Sequence, residues 1–507
     1  MKISVIDLGF NSLKLVTYDV KQDSSFTVFD QKSIPARLGE GLSQTGFLGT
    51  TPIQRALDGL RFFREVNEFN GVKHTIPVAT SAVREAANSE EFLKKVLSET
   101  GFKFRVLSGR EEALYSYTGA ARSLGQSNIL FFDIGGGSLE FVYSREYKVR
   151  KILSLPLGGL RLTQMYGDSG SSFKQKDWER MEDRVFELLP SAHELGLARE
   201  TMLVGVGGNL RALARWDQEL RDYPLNKLHN YSMKRQAVSL MTRELSKLSA
   251  REIADVGVIG KDRAETLAAG ALVIEFIMRK LGFAKLTVST HGLRDGVLSS
   301  FLDDPLAYHR GKMSKTLRRT LKPDWKQRFY PAIKNFAGML QNLDLIDKKE
   351  AEILAYELRW IMAETSERPE AVFYSIMNDE SFLSHRDQLI AAITLVESKR
   401  PRSAEWIYQK YKSMLKGKKS KDVIEKLAGV SRFLEIVLRT DSRIRFSVAE
   451  RGAKIKLRVI PGTHHFPETL FGISVKELAD EIDRFLEYSV KYRKPKLDKL
   501  PTLEGLE

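Results

Sequence analysis

The 507-residue sequence predicts an α/β fold: two duplicated lobes, then an all-α domain, then a small α+β domain at the carboxyl end. Three observations lead there. The segment Ile6-Asp7-Leu8-Gly9-Phe10-Asn11-Ser12-Leu13-Lys14-Leu15-Val16 reappears as Phe132-Asp133-Ile134-Gly135-Gly136-Gly137-Ser138-Leu139-Glu140-Phe141-Val142, 126 positions on. Strand-like and helix-like patterns alternate through the first 300 residues. Beyond about residue 303 glycine thins and a Leu/Lys/Glu periodicity takes over. A single core stops growing near 250–300 residues, so several domains are required. The breaks place them at 1–125, 126–302, 303–440 and 441–507.

Each copy of the repeat is an apolar run, an aspartate, a glycine-containing turn and a second apolar run, which is a β-hairpin with an acid at its mouth. Glycine lets such a turn bend and lets its N–H groups approach a phosphate without Cβ obstruction. After the first hairpin, Thr51 before Pro52 reads as N-cap and first helical residue of a helix running to about 69. A strand over 75–79, a helix from 81, a helix over 89–100 and a strand over 102–107 complete the first lobe. In the second, apolar 202–206 leads into Gly207-Gly208-Asn209, and 286–289 leads into Thr290-His291-Gly292. Residues 333–437 read as mainly helical; 444–448 and 453–460 read as strands, followed by a helix over 475–491.

Composition narrows the function. Hydrophobic residues at 42% and charged residues at 29% are those of a soluble globular protein. The chain has no cysteine, which excludes disulfides, thiolate metal sites and cysteine nucleophiles and fits a reducing, cytoplasmic setting. Asp7 interrupts the apolar amino terminus where a signal peptide needs an unbroken core. The apolar window 267–278 contains Glu275 and is too short to span a bilayer, so no membrane partner is expected. The net charge is +15, split +6 over 1–300 and +9 over 301–507. The densest basic run is Arg310, Lys312, Lys315, Arg318, Arg319, Lys322, Lys326, Arg328 and Lys334; a second is Lys410, Lys412, Lys416, Lys418, Lys419 and Lys421. Such runs are either solvated faces or a field that attracts a polyanion.

Among residues able to do chemistry, Ser108-x-x-Glu111 forms a capping box, which gives Glu111 a structural task. Glu112 points about 100° further round the helix and is not used by the cap. It is either an acid favoured by the helix dipole or a base able to deprotonate water at the rim of the sheet. Asp7, Asp133 and Glu140 are turn acids or oxygen ligands of the kind magnesium takes. Arg84 is a surface arginine or a phosphate clamp. The eight histidines show no i, i+4 pair, and no Gly-x-Ser-x-Gly elbow or Gly-x-x-x-x-Gly-Lys-Ser/Thr loop occurs.

Taken together, Asp7-Leu8-Gly9-x-Asn11-Ser12, Ala79-Thr80-Ser81-Ala82-x-Arg84, Ser108-Gly109-x-Glu111-Glu112-Ala113, Asp133-Ile134-Gly135-Gly136-Gly137-Ser138-x-Glu140, Gly205-x-Gly207-Gly208 and Gly292-Leu293-Arg294-Asp295-Gly296 resemble the exopolyphosphatase and guanosine pentaphosphate phosphohydrolase (Ppx/GppA) family of the actin-like superfamily. The resemblance covers about 300 residues. It implies two actin-like (ribonuclease H-like) lobes and, over 303–440, an HD-like helical domain. It implies Glu112 as catalytic base and Asp133 and Glu140 as ligands of Mg2+. Gly135, Gly136, Gly137, Ser138, Gly207 and Gly208 would cradle phosphate, with Gly9, Asn11, Ser12, Lys14, Arg84 and Arg294 completing the substrate contacts. The implied activity is release of terminal phosphate from inorganic polyphosphate, with guanosine pentaphosphate, cleaved to tetraphosphate, as a second substrate. Nucleic acid is not an expected partner; a homodimer is.

Three positions depart from the family pattern. Phe10 stands where serine is usual, so a ring replaces a hydroxyl near the first phosphate loop. Asn209 replaces a common threonine. Met362-Ala363-Glu364 stands where a histidine–acid pair would be, which makes the helical domain structural or substrate-guiding. Alternatives are a non-catalytic sensor of guanosine tetra- or pentaphosphate and a kinase on the same scaffold.

Overall fold

The computed structural model describes residues 1–305 and 331–474, apart from positions 23, 125, 168–170, 343, 364–368, 417–418, 441–444, 452–453, 461–468 and 471–472. It divides into two compact units, Met1–Pro323 and Asp324–Glu507.

The first unit carries two sheets. One contains β1 (Lys2–Leu8), β2 (Leu13–Val20), β3 (Phe26–Ile34), β4 (His74–Ala79) and β5 (Arg105–Val106), in the order β3-β2-β1-β4-β5. The other contains β6 (Ile129–Ile134), β7 (Leu139–Arg145), β8 (Lys148–Leu155), β9 (Met202–Val206), β10 (Ser232–Lys234) and β11 (Lys285–Val288), in the order β8-β7-β6-β9-β11-β10. In both, the first three strands form an antiparallel meander, and the fourth returns parallel to the first. The second sheet adds β10 antiparallel at its far edge. The repeat read at Asp7 and Asp133 is therefore a repeat of whole sheets, and the mixed topology is that of the expected actin-like lobes.

Sequence explains the layering. The central strands β1 and β6 are almost continuously apolar and are buried on both faces, as strands covered by helices on each side must be. β3 has only intermediate and exposed residues and forms an edge. The apolar window that is too short for a membrane becomes the helix Ala264–Lys280, buried along nearly its whole length beneath the second sheet. Its Glu275 accepts from Ser239 Oγ at 3.2 Å. No helix among the described residues is long and apolar enough to cross a membrane.

Several boundaries differ from expectation. The second helix of the chain is Thr50–Phe69, with Gly49 rather than Thr51 in the extended N-cap position and no side-chain cap. Pro52 still lies in the first turn, where a missing N–H costs nothing. The strand expected over 102–107 shrinks to Arg105–Val106, because only these two residues pair with β4. By contrast, the helix Ser89–Thr100 and strand Met202–Val206 match. Strands β3, β8 and β10 are additions; their polar or mixed residues lack clean period-2 alternation.

In the second unit the helices Lys348–Ala363, His385–Lys399 and Lys419–Thr440 pack on one another. The middle one is buried on nearly every side, and its Gln388 Nε2 donates to the Ile376 and Asp379 carbonyls at 2.6 and 2.8 Å. Strands Arg445–Arg451 and Lys454–Ile460 pair antiparallel as expected. The helix expected over 475–491 and most of the basic run from 310 to 334 lie outside the described residues, as does Glu364.

Where the helices Gly109–Leu124 and Leu293–Asp303 cross, a Cβ on Gly296 would overlap the Tyr115 carbonyl, which is backbone and cannot swing aside. Gly296→Ala is therefore expected to cost about 1–3 kcal/mol, read as a lower urea midpoint. Gly257→Ala, whose Cβ would meet nothing within 4 Å, should leave that midpoint in place.

Candidate active site

The two repeated hairpins bring their acids to the same place in each lobe. Register pairs Asp7 with Lys14 across β1 and β2, and Asp133 with Glu140 across β6 and β7. Directly opposed residues of an antiparallel pair project to one face, so each pair shares a face. Both turns close identically: Gly9 N–H donates to Ser12 O at 3.1 Å, and Gly135 N–H to Ser138 O at 3.0 Å. The backbone repeats while the charge does not.

The turns touch each other. A Cβ on Gly136 would lie 3.1 Å from Asn11 Cβ, and one on Gly137 would overlap the Phe10 ring. Phe10 itself is only 3% exposed. Its ring packs into the core of the first lobe against Gly39 and, across the lobes, against Gly137 of the second turn.

Glu112 enters from the helix Gly109–Leu124. The capping box forms: Ser108 N–H donates to Glu111 Oε2 at 2.9 Å, and Glu111 N–H to Ser108 Oγ at 3.3 Å. That leaves Glu112 for another partner, and Arg84 Nη1 donates to its Oε2 at 2.9 Å while also reaching the Leu107 carbonyl at 2.7 Å. Arg84, expected on phosphate, is thus placed on the carboxylate. One turn further along the helix, Ser116 Oγ donates to Asp133 Oδ2 at 2.7 Å. Ser154 Oγ donates to Glu140 Oε1 at 3.0 Å.

These acids strain one another. Burial, against the opposing pull of Arg84 and with help from Asp133 and Asp7, pushes Glu112 up to about 7. Burial followed by the charges of Glu112 and Asp133 drives Glu140 well above the ordinary carboxylate range. Asp133 is raised too, by burial and, against Lys14 and Ser116, by Asp7. Beside the acids stands a group of cations. Burial and the charges of Arg294, Arg211 and Arg263 lower Lys14 to about 7, against Asp7. Burial, Arg294 and Arg263 lower Arg211 to about 10. Gly207, at φ 128°, starts the helix Gly208–Leu220, and a Cβ on Gly208 would lie 2.5 Å from the Arg263 guanidinium carbon.

Among the described residues no three acid or imidazole groups close into a ready metal cage. Magnesium does not need one, since it is usually held by one or two carboxylates together with substrate phosphate and water. Asp133 and Glu140, on one face, oriented by serine hydroxyls and raised by burial and by neighbouring acids, fit that donor set.

A sequence model described as the Ppx/GppA phosphatase family matches residues 16–304, more than half of the chain. The chain belongs to the Ppx/GppA phosphatase family. As a member it is a phosphatase-type hydrolase. Exopolyphosphatase 1 of Mycobacterium tuberculosis is 27% identical over 310 residues, covering 60% of this chain and 89% of that protein. Exopolyphosphatase 2 of the same organism is 27% identical over 316 residues, covering 59% and 98%. The crystal structure of an exopolyphosphatase from Cytophaga hutchinsonii superposes with a TM-score of 0.56 at 26% identity, covering 60% of this chain and 98% of that one. The Aquifex aeolicus Ppx/GppA member gives 0.50 at 26%, with 60% and 98% covered. The family match lies within the first compact unit.

Within this Ppx/GppA unit the residues singled out from sequence gather round one cleft: Asp7, Lys14, Glu112, Asp133, Glu140 and Arg294 interact by charge, and the two glycine turns adjoin them. Gly207 lies against the Ile134 carbonyl, next to the second turn. Asn209 is buried, its Nδ2 donating to Thr266 O at 3.1 Å and its Oδ1 accepting from Thr266 Oγ1 at 3.0 Å, so both ends of the amide serve helix packing. Sequence reasoning missed Arg211 and Arg263. Arg211 sits one turn after Gly207-Gly208 and could have been read from that spacing; Arg263 carries no local signal.

The raised acids set the pH dependence of folding. A carboxyl whose folded value exceeds its unfolded one contributes stability that is present below the unfolded value and lost as pH rises through the folded value. Without divalent cation, the melting temperature should therefore fall as pH rises from about 5 to about 7, where Glu112 loses its proton. Glu140→Gln should flatten that slope; a variant with the slope of the wild type would show the acid is not strained.

Proposed function

We propose that this family member is a magnesium-dependent exopolyphosphatase that releases terminal phosphate from inorganic polyphosphate, with guanosine pentaphosphate as a second substrate. The observation that carries the reading is the pairing of two uncompensated clusters in one cleft, carboxyls pushed up beside cations pushed down. A chain of phosphates supplies the anion that the second cluster lacks, and a divalent cation the charge that the first lacks. The curated relatives named exopolyphosphatase support that substrate class.

In this reading Lys14, Arg211, Arg263 and Arg294 bind the phosphate chain, and the N–H groups of the two turns receive its terminal group. Asp133 and Glu140 would hold the magnesium ion, which when bound offsets charge on the phosphate oxygens. Glu112, ionised and steered by Arg84, aligns water for in-line attack and accepts its proton. Its raised value suits a base that works near neutral pH.

Glu112→Gln should lower phosphate release from long-chain polyphosphate about 10²–10⁴-fold while leaving the fold intact. For the wild type, log kcat/KM should rise with pH and level off above about 7, where Glu112 is ionised. Full activity in Glu112→Gln would remove the residue from the mechanism. Tight nucleotide binding without phosphate release would favour a sensor.

Chelation of divalent cations should abolish release, and added magnesium should restore it. Equal rates before and after chelation would remove magnesium from the reading.

A further inference from the structure

Both glycine turns are gripped from behind by the segment that follows the third strand of their own lobe. After β3, Arg37 N–H donates to Asn11 O and Gly39 N–H to Phe10 O, each at 2.8 Å. After β8, Gly159 N–H donates to Gly135 O at 3.0 Å and Arg161 N–H to Gly136 O at 3.0 Å. The Arg161 side chain adds a third contact, Nε to Gly137 O at 2.7 Å. Both gripping segments leave their strand through the same step, an X-Pro-X bend in which Ala36 N–H reaches Ile34 O at 2.9 Å and Leu157 N–H reaches Leu155 O at 2.8 Å.

A trans peptide is planar, with its C=O and N–H pointing in opposite directions. Fixing the carbonyls of residues 135, 136 and 137 therefore fixes the N–H groups of Gly136, Gly137 and Ser138 on the other side. None of these three N–H groups donates to an acceptor among the described residues. The second turn thus presents a row of aligned donors, and what aligns them is the segment Gly158 to Arg161. A Cβ on Gly158 would overlap the Gly136 carbonyl, so the grip requires glycine there.

We propose that the Arg161 side chain is a positioning group that orients the Ser138 N–H of the second turn for phosphate, and that its hold is braced by its contact with the first lobe. The brace comes from its other partners, which belong to the first lobe. Its Nη2 donates to Glu85 at 2.5 Å, and its guanidinium lies 5.4 Å from the Phe10 ring centre. One side chain therefore ties the orientation of the Gly137 peptide to contact between the lobes. This deepens the proposed function and rests on its assignment of the second turn to phosphate.

The test uses the full chain with sodium tripolyphosphate as probe and amide nitrogen–proton spectra as readout. In the wild type the Gly136, Gly137 and Ser138 signals should shift on titration. In Arg161→Met the Ser138 shift should shrink while those of Gly136 and Gly137, whose peptides are held by the backbone N–H groups of residues 159 and 161, persist, and kcat/KM for phosphate release should fall about 10-fold or more, a part of what losing an oriented N–H donor costs. Arg161→Lys, which can reach Gly137 O or Glu85 but not both, should recover part of each. Wild-type shifts and wild-type kcat/KM in Arg161→Met would overturn the proposal, as would a wild-type titration in which none of the three signals moves. If Arg161→Met does not fold, Arg161→Lys and the wild-type titration still decide. Shifts without any phosphate release by the wild type would sink the hydrolase reading and leave the positioning role standing.

Discussion

Like charge enclosed in one cleft is the constraint on which the rest of the molecule depends. Four acids face inward from β1, β6, β7 and the helix Gly109–Leu124, and a set of cations faces the same space from β2 and from elements of the second lobe. Burial removes the water that would otherwise screen each set, so Glu112, Asp133 and Glu140 are pushed up while Lys14 and Arg211 are pushed down, each toward its neutral form. A fold selected for stability alone would not gather such groups. The strain is held by the apolar central strands and by the packing between the helices that cover them.

The hydrogen bonds around the acids divide the labour. Glu111 closes the helix cap and thereby leaves its neighbour Glu112 for the cleft. Arg84 then anchors Glu112 to the Leu107 carbonyl, so this carboxylate is fixed to the strand-to-helix junction instead of swinging with its own rotamers. Ser116 and Ser154 fix the orientation of Asp133 and Glu140 without adding charge. Neutral donors orient the two proposed metal ligands, Asp133 and Glu140; a charged donor, Arg84, holds Glu112.

Much of the fold and of the site was legible because the informative residues are local. The Asp-Gly turn repeats, the capping box and the glycine pair are each read within a few positions, and they locate Asp7, Glu112, Asp133, Glu140 and Gly207. What escaped depends on distance in the sequence. Arg263 meets Gly208 only because the helix Ala264–Lys280 folds back under the second sheet. Where the Phe10 ring goes could not be read either, since nothing local reveals that Gly39 and Gly137 leave room for it. The edge strands β3 and β8 were missed for want of a clean alternation. The segments behind the turns were passed over because their work is done by backbone N–H groups, which the letters of a sequence do not display.

The mismatch between Asp7–Lys14 and Asp133–Glu140 has one more consequence. Two copies of a hairpin related by pseudo-symmetry would accept a linear polyanion equally well in either direction. Opposite partners at the same register remove that equivalence: the first hairpin pairs an acid with a lysine, and the second pairs two acids. The symmetry of the scaffold is thereby broken into a polarity, and under the proposed function a phosphate chain would bind in one orientation only.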